Sequence, residues 1–248
     1  MLLSIFKHAV EWQVIDKDKN PMQSIKMPKS TNKQKKDFYR KHEIPKLFAL
    51  LEEYPLRHQL IVKFALFGGL RRGEIAGIAS DVIDFESNQV EIKRSLQQST
   101  KGLRLKDTKT EDRRIITLPE QFMKDLYNYY IKKLDLKKEM ANLWKGFEDV
   151  NGKEVFLLFS DEYGIPHRPD TLTQFWNRFV KRHKNELRRV RFHDLRHSSA
   201  SLILSEGVNM KIVQKRLGHK DIQTTLNLYS HITEEDDKKA SDVFDNFM

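Results

Sequence analysis

Apolar residues recur along this chain with two periods, and the places where the period changes divide it. The opening stretch "MLLSIFKHAVEWQVID" sets Leu3, Phe6, Val10 and Val14 near one face of a helix. Lys7, His8 and Glu11 interrupt the apolar run and no small-residue cleavage site follows. The stretch therefore reads as an amphipathic helix and not as a signal peptide. The pattern predicts that this helix ends near "DKDKNP", where Asn20-Pro21 marks a break. Residues 27–37, "MPKSTNKQKKD", carry no apolar period and read as a basic linker.

The helical period then returns. "HEIPKLFALLEEY" places Ile44, Leu47, Leu50 and Leu51 on one face. "RHQLIVKFALFGGL" is almost wholly apolar, so it predicts a buried helix stopped by Gly68-Gly69. "RRGEIAGIASDV" restarts as a short helix. The stretches "VIDF", "QVEIKRS" and "RRIITL" are short, rich in branched residues and separated by polar turns, which predicts a small antiparallel sheet. The segment "LQQSTKGLRLKDTKTED" reads as a connection before the last strand and carries Lys101, Arg104, Lys106 and Lys109. Helices resume at Pro119. "LTQFWNRFV" puts Leu172, Phe175, Trp176, Phe179 and Val180 on one stripe. "LRHSSASLILSEG" ends at Gly207, and "MKIVQKRLGHKD" and "IQTTLNLYSH" predict two more short helices.

The fold class read from this pattern is mainly α with a small antiparallel β-sheet, an α+β arrangement. Residues 1–26 read as the end of one domain, 27–37 as the linker, and 38–248 as a second domain with a tail from about 233. A piece as short as the first could not bury a core of its own.

Composition narrows the function. With 39% hydrophobic residues and 15 Phe in 248 positions, a sizeable core is available and disorder of the whole chain is excluded. No long uncharged apolar run is present, so no membrane association is expected. Cys is absent, which removes disulfides, Cys zinc sites and Cys nucleophiles and fits a cytoplasmic setting. The net charge of +10 points to a polyanion, most often nucleic acid. From Lys181 to Lys220 there are eleven Lys/Arg against three Asp/Glu, whereas Thr233 to Met248 holds six acidic residues against two lysines. A basic working region is followed by an acidic tail.

Several polar residues sit beside structural punctuation. Arg71 and Arg72 follow the Gly-Gly break. Glu74 lies three residues from Arg71, close enough on a helix to orient its guanidinium for gripping phosphate; a solvated charged pair is the plain alternative. His193 and Arg196 in "RFHDLRHSSA" are spaced to share a helical face. With no Cys and no HExxH, a metal reading is weak, while a fork donor beside a proton-handling group suits a phosphate. Taken singly, His219 in "RLGHKD" reads as a turn residue, Tyr229 in "LNLYSH" as packing, and Lys109 in "DTKTED" as one more solvated lysine.

Together, "GGLRRGEI", "DTKTEDRRIITLP", "RFHDLRHSSAS" and "KRLGHKDIQTTLNLYSH" closely resemble, in order and approximate spacing, the catalytic domain of the tyrosine recombinases, the phage-type integrase family. The likeness covers residues from about 40 to 232. The start resembles the end of that family's helical core-binding domain, and the chain looks short of a full integrase. The resemblance implies a site-specific DNA recombinase that works through a 3′-phosphotyrosyl intermediate without metal, ATP or other cofactor. It implies Arg71, Lys109, His193, Arg196, His219 and Tyr229 as catalytic residues, Tyr229 being the nucleophile, with Glu74 in support. Lys29, Lys33, Lys35, Lys36 and Arg72 are expected to contact DNA. Double-stranded DNA is the expected partner, with a monomer in its absence, a tetramer on it, and accessory directionality or DNA-bending proteins alongside. Two rivals stand beside this reading. One is a helix-turn-helix regulator built on "GVNMKIVQKRLGHKDIQTTLNLY"; the other is a type IB topoisomerase-like nicking-closing enzyme.

Overall fold

The structure is a computed structural model that describes residues 2–23, 25, 37–100, 102–108 and 113–218. The chain falls into two compact units, residues 1–35 and 36–248.

In the first unit α1 spans Leu2–Glu11, ending earlier than its apolar pattern predicts. Gln13 takes a left-handed conformation (φ 57°), and the amides of Gln13 and Val14 turn back to the carbonyls of Val10 and Ala9. This is a Schellman ending. It removes Val14 from the helical face, leaving it 71% exposed.

The second unit is mainly helical. Among the described residues its α-helices are α2 (Ile44–Glu52), α3 (Leu56–Phe67), α4 (Arg72–Ala76), α5 (Glu120–Met140), α6 (Pro169–Arg182), α7 (Leu195–Ser205) and α8 (Met210–Leu217). The almost unbroken apolar sequence of α3 makes it the central helix. Leu60, Ile61, Val62, Phe64, Ala65 and Leu66 are all buried, and α3 packs on α5 and α7. Phe64 meets Phe122 of α5 edge-on at 4.8 Å. The stripe read from "LTQFWNRFV" is the buried face of α6, with Leu172, Phe175, Trp176, Phe179 and Val180 inside. Trp176 satisfies its indole N–H on the Val190 carbonyl at 2.7 Å.

Strands β1 (Ile83–Asp84), β2 (Gln89–Ile92) and β5 (Arg114–Thr117) form a three-stranded antiparallel sheet in the order β1-β2-β5. Its register pairs Val90 with Ile116 and Ile92 with Arg114. The segment read as a connection is itself a ribbon: β3 (Arg94–Ser99) and β4 (Gly102–Asp107) pair from Arg94–Asp107 to Ser99–Gly102. Only Leu96 and Leu105, which face each other in that register, are buried in it. The ribbon is held by backbone hydrogen bonds more than by an apolar face, so its sequence shows little alternation.

The chain enters this unit through an anchored residue. Tyr39 is fully buried edge-on to Trp176, and its hydroxyl donates to the Arg188 carbonyl at 2.9 Å. Burial pushes its phenol well above the usual range, so it remains a donor. Its backbone amide donates to Ser198 Oγ at 2.9 Å, and that hydroxyl donates to the Asp194 carbonyl at 3.1 Å. Between α7 and α8, Ala200, Leu204, Val213 and Leu217 form a smaller apolar cluster.

Candidate active site

The Gly68-Gly69 break decides where the first arginine stands. Gly69 has φ +61°, and a Cβ there would lie 2.1 Å from Leu217 Cδ2. Only glycine fits a left-handed turn pressed against α8. The chain then starts α4 with Arg71 just ahead of its first turn. Glu74, one turn on, accepts from the Arg71 amide and from Arg71 Nη1, both at 2.9 Å. Arg71 Nη2 donates to the Gly218 carbonyl at 2.9 Å, beyond the end of α8. The orientation of Arg71 by Glu74 that the spacing predicts is present.

Glu74 has a second partner, far from it in the sequence. Arg114 donates Nη1 to Oε1 at 3.2 Å and Nη2 to Oε2 at 2.7 Å. Both residues are buried, at 3% exposure for Glu74 and 5% for Arg114. Burial pushes the Glu74 carboxyl up. The hydrogen bonds and charge of Arg114, followed by those of Arg71, outweigh this and hold it below the usual range. One signal for Arg114 was available. It shares the inward face of β5 with Ile116, two residues on, and a charge on that face requires a buried partner.

Arg196 lies at the start of α7 and is only 2% exposed. Nη1 donates to the Gly69 carbonyl, and Nη2, also buried, has no acceptor among the described residues. Burial first, then the charge of Arg71, lowers its pKa to about 9, which leaves it protonated at neutral pH. His193 does not share the α7 helix with Arg196, contrary to the spacing argument. It sits in the 3-10 turn Phe192–Asp194 that precedes it. The turn is set by the buried Asp194 carboxylate, which accepts from Arg191 Nε at 2.6 Å. Burial, then the neighbouring Arg196 charge, holds the His193 imidazole below its ordinary value, so it is neutral near pH 7. His197 is buried, its ring perpendicular to that of His193 at 5.6 Å and its Nε2 3.7 Å from Asp194 Oδ1. This places it as internal support.

Arg71 and His193 open onto a groove of about 890 Å³ between α4, β3 and α6, also lined by Gln97, Gln98, Asn177 and Arg191. Arg72 stands at its rim, tied across to Asp170 of α6 at 2.6 Å. The fold thus brings Arg71, Glu74, His193 and Arg196 together from two distant stretches, with Arg72 beside them. Lys109, His219, Tyr229, Lys29, Lys33, Lys35 and Lys36 lie outside the described residues. Among the described residues, no group of three or more His, Asp or Glu is placed to hold a metal ion. No described helix is long and apolar enough to cross a membrane.

Similar proteins share this frame. The chain is 24% identical over its whole length to the ICEBs1 integrase of Bacillus subtilis, covering 64% of that protein. Over 73% of its length it is 29% identical to transposase A from transposon Tn554 of Staphylococcus aureus, covering 45% of it. A tyrosine recombinase XerA from Saccharolobus solfataricus is 31% identical over 73% of this chain and 47% of its own. The chain therefore spans about half to two thirds of the length of these relatives. Among solved structures, the Tn1549 transposon integrase in complex with transposon right end DNA superposes with a TM-score of 0.77 at 21% identity, over 96% of this chain and 75% of that one. A XerA recombinase gives 0.58 at 19% identity, over 99% of this chain and 75% of that one. Residues 37–236 match the phage integrase family, and the chain belongs to it.

Proposed function

We propose that this chain carries the catalytic part of a site-specific DNA recombinase that cleaves and rejoins strands through a 3′-phosphotyrosyl link, integrating or excising a mobile element. The observation that carries the reading is the buried Arg196 guanidinium. One arm is fixed on the Gly69 carbonyl and the other is without an acceptor among the described residues, with the charge of Arg71 and the neutral His193 beside it. A buried donor left unpaired costs about 1–3 kcal/mol, and a phosphate oxygen would satisfy it.

The chemistry follows from the groups. Tyr229 Oη attacks the scissile phosphorus, the P–O5′ bond breaks, and the 5′-oxygen leaves with a proton. A 5′-hydroxyl of a partner strand then reverses the step, so the bond energy is conserved and no ATP is consumed. Arg71 and Arg196 bind the non-bridging oxygens as charge builds on them. His193 takes or relays the tyrosine proton, Lys109 protonates the leaving 5′-oxygen, and His219 adds a donor. Glu74 holds Arg71 in place. These cations fill the role a metal ion has in other nucleases, so none is assigned. Arg72 and the linker lysines Lys29, Lys33, Lys35 and Lys36 contact the DNA backbone. The partner is double-stranded DNA, a reading supported by the Tn1549 integrase in complex with transposon right end DNA, and four subunits assemble on two duplexes, with accessory DNA-bending or directionality proteins. The site of action is the cytoplasm.

The test is a nicked suicide duplex spanning the element's own junction, incubated with the chain in EDTA. An SDS-resistant protein–DNA adduct is expected, and Tyr229→Phe binds the same duplex and gives none. An adduct of equal yield from that variant refutes the assignment.

A further inference from the structure

Two arginines converge on the C-terminal end of α8. A helix leaves its last carbonyls without intrahelical partners, and these carry the negative end of its dipole. In α8 the Arg216 carbonyl accepts from Arg114 Nε at 2.8 Å, and the Gly218 carbonyl accepts from Arg71 Nη2 at 2.9 Å. Arg216 in turn donates Nη2 to the carbonyls of Phe67 and Thr117, both at 2.9 Å, tying this end of α8 to the ends of α3 and β5. Gly218 caps the helix in a left-handed conformation (φ 67°). It packs flat on the Arg114 guanidinium: a Cβ at 218 would lie 3.0 Å from Nη1 and 3.3 Å from Cζ. His219 is the next residue in the chain, and Tyr229 follows ten positions later.

We propose that Arg114 is a positioning residue: by joining the Glu74 carboxylate to the end of α8, it fixes where the segment bearing His219 and Tyr229 begins relative to Arg71. The proposal rests on the recombinase reading. The role uses all three guanidinium nitrogens in one plane, two on Glu74 and one on Arg216. A lysine supplies the same charge but not the fork. The ionised carboxylate alone would have been enough to pair the buried charge; the third bond, to a helix end, is what makes the pair a joint between two elements.

The experiment uses the 248-residue chain and the suicide duplex described above. Adduct formation by the unaltered chain, lost with Tyr229→Phe, tests the recombinase reading on its own, before any Arg114 variant is measured. Arg114→Lys is expected to lower the single-turnover rate of adduct formation by about 10²-fold, the usual consequence of a displacement of about 1 Å in a reacting group. Its affinity for the duplex is expected to stay within about threefold, measured well below its melting temperature. Gly218→Ala disturbs the same contact from the other side, so the two changes together are expected to be non-additive. Restoration of the rate by lysine overturns the proposal, because charge alone would then suffice. So does a parallel fall of rate and affinity, an unfolded Arg114→Lys chain, or strict additivity with Gly218→Ala, each of which marks a general structural staple.

Discussion

Glu74→Gln separates charge from shape at the centre of the site. The amide has the volume of the carboxylate, but it removes the only carboxylate that pairs with buried Arg114 and with Arg71 Nη1 among the described residues. Breaking a buried pair by neutralising one partner costs about 3–5 kcal/mol, because the other charge is left in a poorly solvated place. The amide oxygen still accepts one hydrogen bond, worth about 1 kcal/mol. The expected loss is therefore about 2–4 kcal/mol, roughly 4–16 °C in melting temperature for a domain of this size. Circular-dichroism melts and urea titrations at pH 7 measure it. Raising the salt is expected to change the difference little, since buried charges are weakly screened. A second variant checks the cause: Glu74→Leu with Arg114→Met replaces the pair by apolar groups and is expected to recover most of the stability, though not the cleavage rate. If Glu74→Gln melts within about 1 kcal/mol of the unaltered chain, or the apolar pair is less stable than the single change, the pair is not the buried strut described here.

Other consequences follow from the same geometry. Gly69→Ala places a Cβ in a left-handed turn and against Leu217, with an expected cost of about 2–5 kcal/mol read from urea unfolding; a change within 1 kcal/mol contradicts the packing. His193 is held below its ordinary pKa of about 6.5 by burial and by Arg196, so it loses its proton at lower pH than a free imidazole. The cleavage rate is then expected to stay level at neutral pH and to fall only as pH drops below that value, with the inflection lost in His193→Gln; an inflection above 6.5 in the unaltered chain contradicts this. Neutralising Lys29, Lys33, Lys35 and Lys36 is expected to flatten the salt dependence of DNA affinity by about 0.9 per contact, up to about 3.6 in all, and an unchanged slope places the linker off the DNA.

What the sequence disclosed depended on how far apart the interacting residues lie. The stripe of α6 and the all-round burial of α3 were legible because helical periodicity is a local property. Arg71 with Glu74 was legible for the same reason, as a pair three residues apart. Arg114 was not, because its carboxylate is 40 positions away in the sequence and meets it only in the folded chain. The β3–β4 ribbon was missed because one cross-strand leucine pair is all that it buries. The early end of α1 depends on a left-handed glutamine, which no residue preference announces. His193 and Arg196 come together as their spacing predicts, but His193 lies in the 3-10 turn that precedes α7 and not in the helix itself.

The anchoring of Tyr39 has a mechanical meaning. A tether can enter a domain through its surface, where slack absorbs any pull, or through its core. Here the chain arriving from the N-terminal side is pinned within a few residues. The pin is a backbone hydrogen bond to Ser198, whose hydroxyl also holds the Asp194 carbonyl. The phenol ring beyond it lies edge-on to Trp176, with its hydroxyl on the Arg188 carbonyl. Tension along the incoming strand is therefore delivered first to the helix of Arg196 and to the turn of His193, before it spreads into the rest of the core.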